Sequence, residues 1–222
     1  MMPKNKNFLV MPQKYKLARI WEQVPPDYYQ KSTNRNLLQR YWHQEKVRTL
    51  RELVGERNPK KILDVGSASG MMANEVSKIF PEAKITAVDV YKKAVDYGKS
   101  HYPHINFVVA DAHSLPFPDN AFDLIICYET IEHVINPLSV IKEAKRVVKK
   151  GGRIVLAMDS GSFLFRAVWF IWEKTQGKVW QGAHLHPFRH TELEDVIKKS
   201  GLKIVKKVFS HFGMEVSFLL KK

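Results

Sequence analysis

Apolar and aromatic positions recur at helical spacing between residues 36 and 55, at Leu37, Leu38, Tyr41, Trp42, Val47, Leu50, Leu53 and Val54, until Gly55 and Pro59 interrupt the pattern. After that, short apolar runs alternate with amphipathic stretches. Strands are predicted over 61–65, 84–88, 106–109, 122–127 and 153–158, with helices over 70–80, 92–100 and 137–148. A helix over 191–200 and strands over 202–209 and 214–220, turned at Gly213, close the chain as a hairpin. Strands alternating with helices require a parallel sheet covered on both faces, and the hairpin requires one antiparallel strand. Residues 1 to about 30, with Pro3, Pro12, Pro25 and Pro26, read as an irregular polar arm.

The most specific local pattern is ILDVGSASG over 62–70, followed by ITAVD over 85–89. A buried strand, a glycine turn and a helix start, with a carboxylate one βα unit later, form a nucleotide-holding device. A dinucleotide loop would read G-x-G-x-x-G so that backbone can approach a pyrophosphate. Here Ala68 stands between Gly66 and Gly70, and Asp64 places a negative charge beside the ligand. That charge disfavours phosphate and suits a ligand bearing an amino group. Asp89, at the tip of the second strand, can accept both hydroxyls of a ribose. S-adenosylmethionine (SAM) has an ammonium, a sulfonium, a ribose and no phosphate.

Together with VVADAHSLPFPDNAFDLIICYETIEHV over 108–134 and KKGGRIVLAM over 149–158, these motifs resemble the class I SAM-dependent methyltransferases, close to the small-molecule branch of the ubiquinone and menaquinone methyltransferases. The resemblance covers about residues 60–158. It implies an α/β fold, a Rossmann-like seven-stranded mostly parallel sheet with one antiparallel edge strand and helices on both faces. It also implies SAM as cofactor and S-adenosylhomocysteine as product. Cofactor contacts are expected from Asp64, Gly66, Ser67, Ala68 and Gly70, from Asp89 and Val90, from Asp111 and Ala112 near the adenine, and from Tyr128 on the methyl-transfer side. Where the family usually has a third glycine or a cysteine, this chain has Ser67, Ala68 and Ser69, all small enough to keep the close approach. The helix over 36–55 is expected to cover the cleft, with Tyr41 or Trp42 touching the ligand or packing in the core. The domain plan is therefore an arm and covering helix over 1–58 and a methyltransferase domain over 59–222, with a substrate-side insertion over 159–190.

Charge changes the picture by its placement. Residues 1–60 hold 13 Lys+Arg against 5 Asp+Glu, residues 61–140 hold 6 against 10, and residues 141–189 hold 10 against 3. An acidic cofactor half suits a cationic ligand, whereas basic flanks suit an anionic partner such as a phospholipid surface, a phosphate-bearing metabolite or RNA. The single cysteine, Cys127, lies in an apolar strand, which excludes an intramolecular disulfide and leaves no cysteine nucleophile in a loop. No run reaches the roughly 20 apolar residues of a membrane span, and no secretory signal is evident, so a cytoplasmic protein is expected.

The insertion carries Phe163, Phe165, Trp169, Phe170 and Trp172 within about three turns. Three readings remain open for it: an amphipathic helix in a lipid interface, a lid over an apolar substrate, or a core helix. A small or lipid-like methyl acceptor follows as the leading expectation, with peripheral membrane contact allowed. An oxygen or nitrogen acceptor benefits from a general base, and His133, then His184 and His186, are the candidates. His184-x-His186 has no nearby carboxylate or cysteine to complete a metal site, so no metal is expected. An RNA methyltransferase is the second reading, weakened because CYETIEHV replaces the N/D-P-P-Y/F motif of nucleic-acid amino methylation. SAM binding without turnover is the third, and a nicotinamide reductase the fourth.

Overall fold

Seven strands, β1 (Lys61–Val65), β2 (Lys84–Asp89), β3 (Asn106–Val109), β4 (Phe122–Tyr128), β5 (Val148–Asp159), β6 (Lys203–Ser210) and β7 (Glu215–Lys221), form one sheet in the order β3-β2-β1-β4-β5-β7-β6. The computed structural model describes residues 20–175, 186 and 188–222. Strands β1 to β5 pair in parallel, and β7 runs antiparallel to both β5 and β6. The antiparallel strand thus belongs to the terminal hairpin but stands one place in from the outermost strand, because the short turn His211–Gly213 folds β7 back between β5 and β6.

Helices cover both faces, as the two-residue alternation along the strands demands. On one face Ile62, Leu124, Ile126 and Val155 pack against α2 (Leu37–Val54), α3 (Met71–Ile79) and α4 (Lys92–His101). On the other, Leu63, Val65, Ile125 and Leu156 meet α5 (Pro137–Val147) and α7 (His190–Lys199). Burying an aliphatic side chain at this depth contributes about 1.5–3 kcal/mol, so the alternating strands hold the sheet between its helices. Cys127 belongs to the second of these cores, where burial pushes its thiol up, away from nucleophilic use.

The described part of the expected irregular arm is helical instead. Ile20 to Gln23 form a turn, and α1 (Tyr28–Arg35) follows Pro25 and Pro26, with Asp27 at its N-cap pairing with Lys31 at 2.6 Å. Prolines mark a helix start as well as a loop. What selects the helix here is tertiary: Ile20 and Val24 are buried, and Gln30 donates to Ser69 in the glycine loop at 3.0 Å. The insertion begins with α6 (Phe163–Lys174), capped by Ser162, whose hydroxyl accepts from Phe165 N–H. Among the described residues, no helix is long and apolar enough to cross a membrane.

Candidate functional site

At the carboxyl ends of β1, β2 and β4 a cavity of about 780 Å³ opens, within the range of small-molecule sites. The glycine loop forms its floor. Gly66 and Ser67 N–H groups both donate to Val88 O, which swings the loop from β1 toward β2. Gly66 has φ 74°, and a Cβ there would lie 2.1 Å from Thr130 Oγ1, so position 66 admits only glycine. Gly70 serves packing instead: a Cβ there would strike the Phe107 ring at 2.3 Å.

Asp89 organises the wall. Its Oδ2 accepts Ala68 N–H at 2.8 Å and its Oδ1 accepts Tyr91 N–H at 2.8 Å, which fixes the carboxylate on the cavity wall. Burial raises its carboxyl, while the backbone donors of Tyr91, Ala68 and Val90 act in the opposite sense. The Asp89–Ala68 bond also holds Ala68 at φ 47°, a left-handed conformation that costs an L-residue about 1–2 kcal/mol. Behind the loop, Asp64 is 2% exposed, and its Oδ2 is buried without a hydrogen-bond partner. Burial, with the Asp89 charge adding to it, pushes the Asp64 carboxyl up to about 7. Two adjacent carboxylates in this state favour a cation.

The sequence candidates separate by position. Gly66, Ala68, Asp89, Val90, Asp111, Ala112 and His133 line the cavity. Asp64 and Ser67 lie buried behind it, Gly70 caps α3, and Tyr128 is part of the core at the end of β4. His186 does not line the cavity; its backbone N–H donates to Glu132 O at 3.1 Å, and its ring lies 3.3 Å from Ile135 O, beside His133. His184 lies outside the described residues. Tyr41 and Trp42 do not line the cavity either.

Several lining residues escape sequence reasoning. Tyr29 of α1 and Trp21 cover the cavity, and nothing local in the polar arm singles them out. His113 joins Asp111 at 2.6 Å through Nδ1 and accepts Asn136 N–H on Nε2 at 3.1 Å, which fixes its proton on Nδ1. Glu129, in left-handed conformation at φ 46°, presents its carboxylate to Trp42 Nε1–H at 3.1 Å and to the Lys46 ammonium at 2.5 Å. Burial works to raise the Glu129 carboxyl, but Lys46 and Trp42 outweigh it and hold the group below the usual glutamate range. The one local signal for this arrangement was the spacing of Trp42 and Lys46, four apart on α2.

Beyond Glu129 lies a second set of buried acids at the ends of β4, β5 and β7. Burial and Asp159 raise Glu132 well above its ordinary value. Burial lifts Asp159 to about 7 against the Gly161 N–H, and lifts Glu215 to about 8 against Lys46. His211, buried and stacked on Trp42 at 3.9 Å, donates from Nε2 to Trp42 O at 2.8 Å, and burial lowers its pKa. Among the described residues, no three His, Cys, Asp or Glu side chains converge as a metal site.

A family model described as a methyltransferase domain matches residues 63–156. Demethylmenaquinone methyltransferase of Thermotoga maritima is 33% identical over 105 residues, 47% of this chain and 46% of that protein. Ubiquinone/menaquinone biosynthesis C-methyltransferase of Coxiella burnetii is 28% identical over 149 residues, 64% of this chain and 58% of that protein. The chain thus spans about half the length of the curated relatives it matches. A solved SAM-dependent methyltransferase of Thermotoga maritima, described as a possible histamine N-methyltransferase, superposes with a TM-score of 0.68 at 22% identity. That alignment covers 92% of this chain and 99% of the other, and at such identity it speaks for the fold. Residues 63–156 thus match a methyltransferase domain, carry a glycine loop that turns onto an acidic strand tip in a sheet of the fold found in that solved structure, and are similar in sequence to the ubiquinone and menaquinone methyltransferases.

Proposed function

We propose that the chain transfers the methyl group of SAM to a small or lipid-like acceptor. The observation that carries this reading is Asp89: a half-buried carboxylate at the tip of β2, tied to the glycine loop and lining a cavity of about 780 Å³. The donor set fits the cofactor. The orphaned Oδ2 of Asp64 suits an ammonium, the Asp89 carboxylate on the cavity wall suits ribose hydroxyls, and Gly66 lets Thr130 pack against the loop that floors the cavity. Asp111, Ala112 and Val90 would take the adenine end, with His113 fixing Asp111. Ser67, Gly70 and Tyr128 would act from behind, by shaping the loop and the strand end. When bound, SAM supplies an electrophilic methyl on a sulfonium.

The chain's own task is then alignment and exclusion of water. Trp21 and Tyr29 close the cavity from above, and His133 on its wall can take the acceptor's proton. His186 positions the His133 turn through Glu132 O and Ile135 O. In this reading residues 1–58 are the arm and cover, and 59–222 the methyltransferase domain, with 159–190 on the acceptor side. Similarity to demethylmenaquinone and ubiquinone/menaquinone methyltransferases supports a lipid-like acceptor, and similarity to a malonyl-[acyl-carrier protein] O-methyltransferase of Hahella chejuensis supports a small acyl one.

Calorimetric titration with SAM and S-adenosylhomocysteine, on wild type and Asp89→Ala, tests the proposal. Micromolar binding should weaken by about 1–3 kcal/mol in the variant through the lost, partly buried ribose bonds. Unchanged affinity would move the ribose elsewhere, and a folded wild type that binds neither ligand would overturn the reading.

A further inference from the structure

A helix on a protein surface normally turns its apolar stripe inward. In α6, Phe165 is buried and Trp169 and Trp172 half-buried, with Phe165 stacked on Trp169 at 5.7 Å and Trp172 tilted against Trp169 at 4.8 Å. Yet Phe163, Leu164, Val168, Phe170 and Ile171 all face outward, Phe163 at 88% and Ile171 at 64% exposed. The outward arc of this helix is nearly continuous hydrocarbon.

Two neighbouring elements extend it. Ser160, just before α6, donates its hydroxyl to Gly213 O at 2.6 Å, beside Phe212, which is 81% exposed. Phe212 in turn stacks on Tyr41, on the turn of α2 that also exposes Leu37 and Leu38. All three elements sit at the carboxyl ends of the parallel strands, the side on which the cavity opens. An exposed apolar face this extended marks a docking surface.

Charge identifies the occupant. Arg35 and Arg40 flank Leu37 and Leu38, Arg166 and Lys174 lie on α6, and all four are exposed. A second copy of the chain, related by a two-fold axis, would set these cations against one another. An anionic bilayer would neutralise them while taking the apolar side chains into its interfacial zone. We infer that α6, the Phe212 turn and the first turn of α2 form one face that docks on an anionic phospholipid bilayer, with the cavity mouth toward the membrane. The contact is peripheral, since none of these helices can span. Uptake of the acceptor from the bilayer follows only on the methyltransferase reading; the docking itself stands without it.

Co-sedimentation of the whole chain, without cofactor, tests this with vesicles of equal parts phosphatidylglycerol and phosphatidylcholine against phosphatidylcholine alone. Wild type should pellet with the anionic vesicles and be released by salt. Phe163→Glu combined with Ile171→Glu should lower partitioning by at least roughly tenfold, and Arg35→Gln with Lys174→Gln severalfold. Both variants alter exposed side chains, so thermal midpoint and SAM affinity should match wild type, which separates lost docking from lost folding. No pelleting of wild type, or equal pelleting of wild type and the Phe163/Ile171 variant, overturns the inference. So does a lipid-free dimer in sedimentation analysis that this variant abolishes, which would assign the face to a second copy.

Discussion

The two ends of the site handle buried carboxylates differently. On the cofactor side, Asp89 is satisfied by backbone N–H groups of its own loop, and Asp64 keeps one oxygen unpartnered. At the ends of β4, β5 and β7, Glu129, Glu132 and Glu215 share the field of one ammonium, Lys46, while Asp159 feels Arg166, and His211 is held against the Trp42 carbonyl. The first is an arrangement awaiting a cation; the second already contains one. A carboxylate raised by burial is therefore no sufficient sign of a ligand site. Its partner, and the distance along the chain from which that partner comes, decide what it does.

The largest effect should come from breaking the floor of the cofactor side. Gly66→Val places a side chain on Thr130 at a left-handed position, and should cost roughly 3 kcal/mol or more in unfolding free energy and abolish SAM binding. Thermal unfolding and calorimetry would show both. Lys46→Met tests the other side. Removing the ammonium leaves Glu129 without its counter-charge and should cost about 1–3 kcal/mol, because the pair is only partly shielded from water. SAM affinity should change little, and a loss as large as that of Asp89→Ala would mean that the two sides are one unit.

A pH series sharpens the same contrast. Asp64 and Asp159 near 7 and Glu215 near 8 are raised by burial, so their protonated forms favour the folded state. That stability is present below the ordinary carboxylate range and is lost as pH rises through about 7 to 8. The ligand-free thermal midpoint should therefore fall as pH rises from the ordinary carboxylate range toward about 7 to 8 and level off above it. If SAM binds as proposed, its cation favours ionised Asp64, so the midpoint increase on adding SAM should grow as pH rises through about 7; a constant increment would exclude Asp64 from contact with the cation. The smallest effect is expected at Ala68. Ala68→Gly relieves the left-handed strain but adds freedom to the unfolded chain, for a net gain of about 0.5 kcal/mol in thermal unfolding.

How much of the site was legible follows from contiguity. Asp64, Gly66 and Gly70 lie in one strand-turn-helix run, and Asp89 ends the next strand, so strand periodicity and glycine spacing placed them without tertiary information. Glu129 stood inside a motif read for its other residues, and its partners Trp42 and Lys46 come from a helix more than eighty residues earlier. The polar arm was read as irregular because its prolines outweigh its few apolar residues. Its described part, from Ile20, is helical because Ile20 and Val24 find a buried place against the rest of the fold and Gln30 reaches Ser69.

The amino-acid sequence by itself determined the alternation of strands and helices, the glycine loop, the acidic strand tip and the acidic and basic halves of the chain, since each depends on neighbours a few residues apart. Only the tertiary structure decided that the stretch from Trp21 to Tyr29 lines the cavity, that Glu129, Glu132 and Glu215 gather around Lys46, that β7 lies between β5 and β6, and that α6 turns its apolar arc outward. Those outcomes depend on which surfaces are left to bury once the sheet has formed, a competition among segments far apart in the chain that no local pattern records.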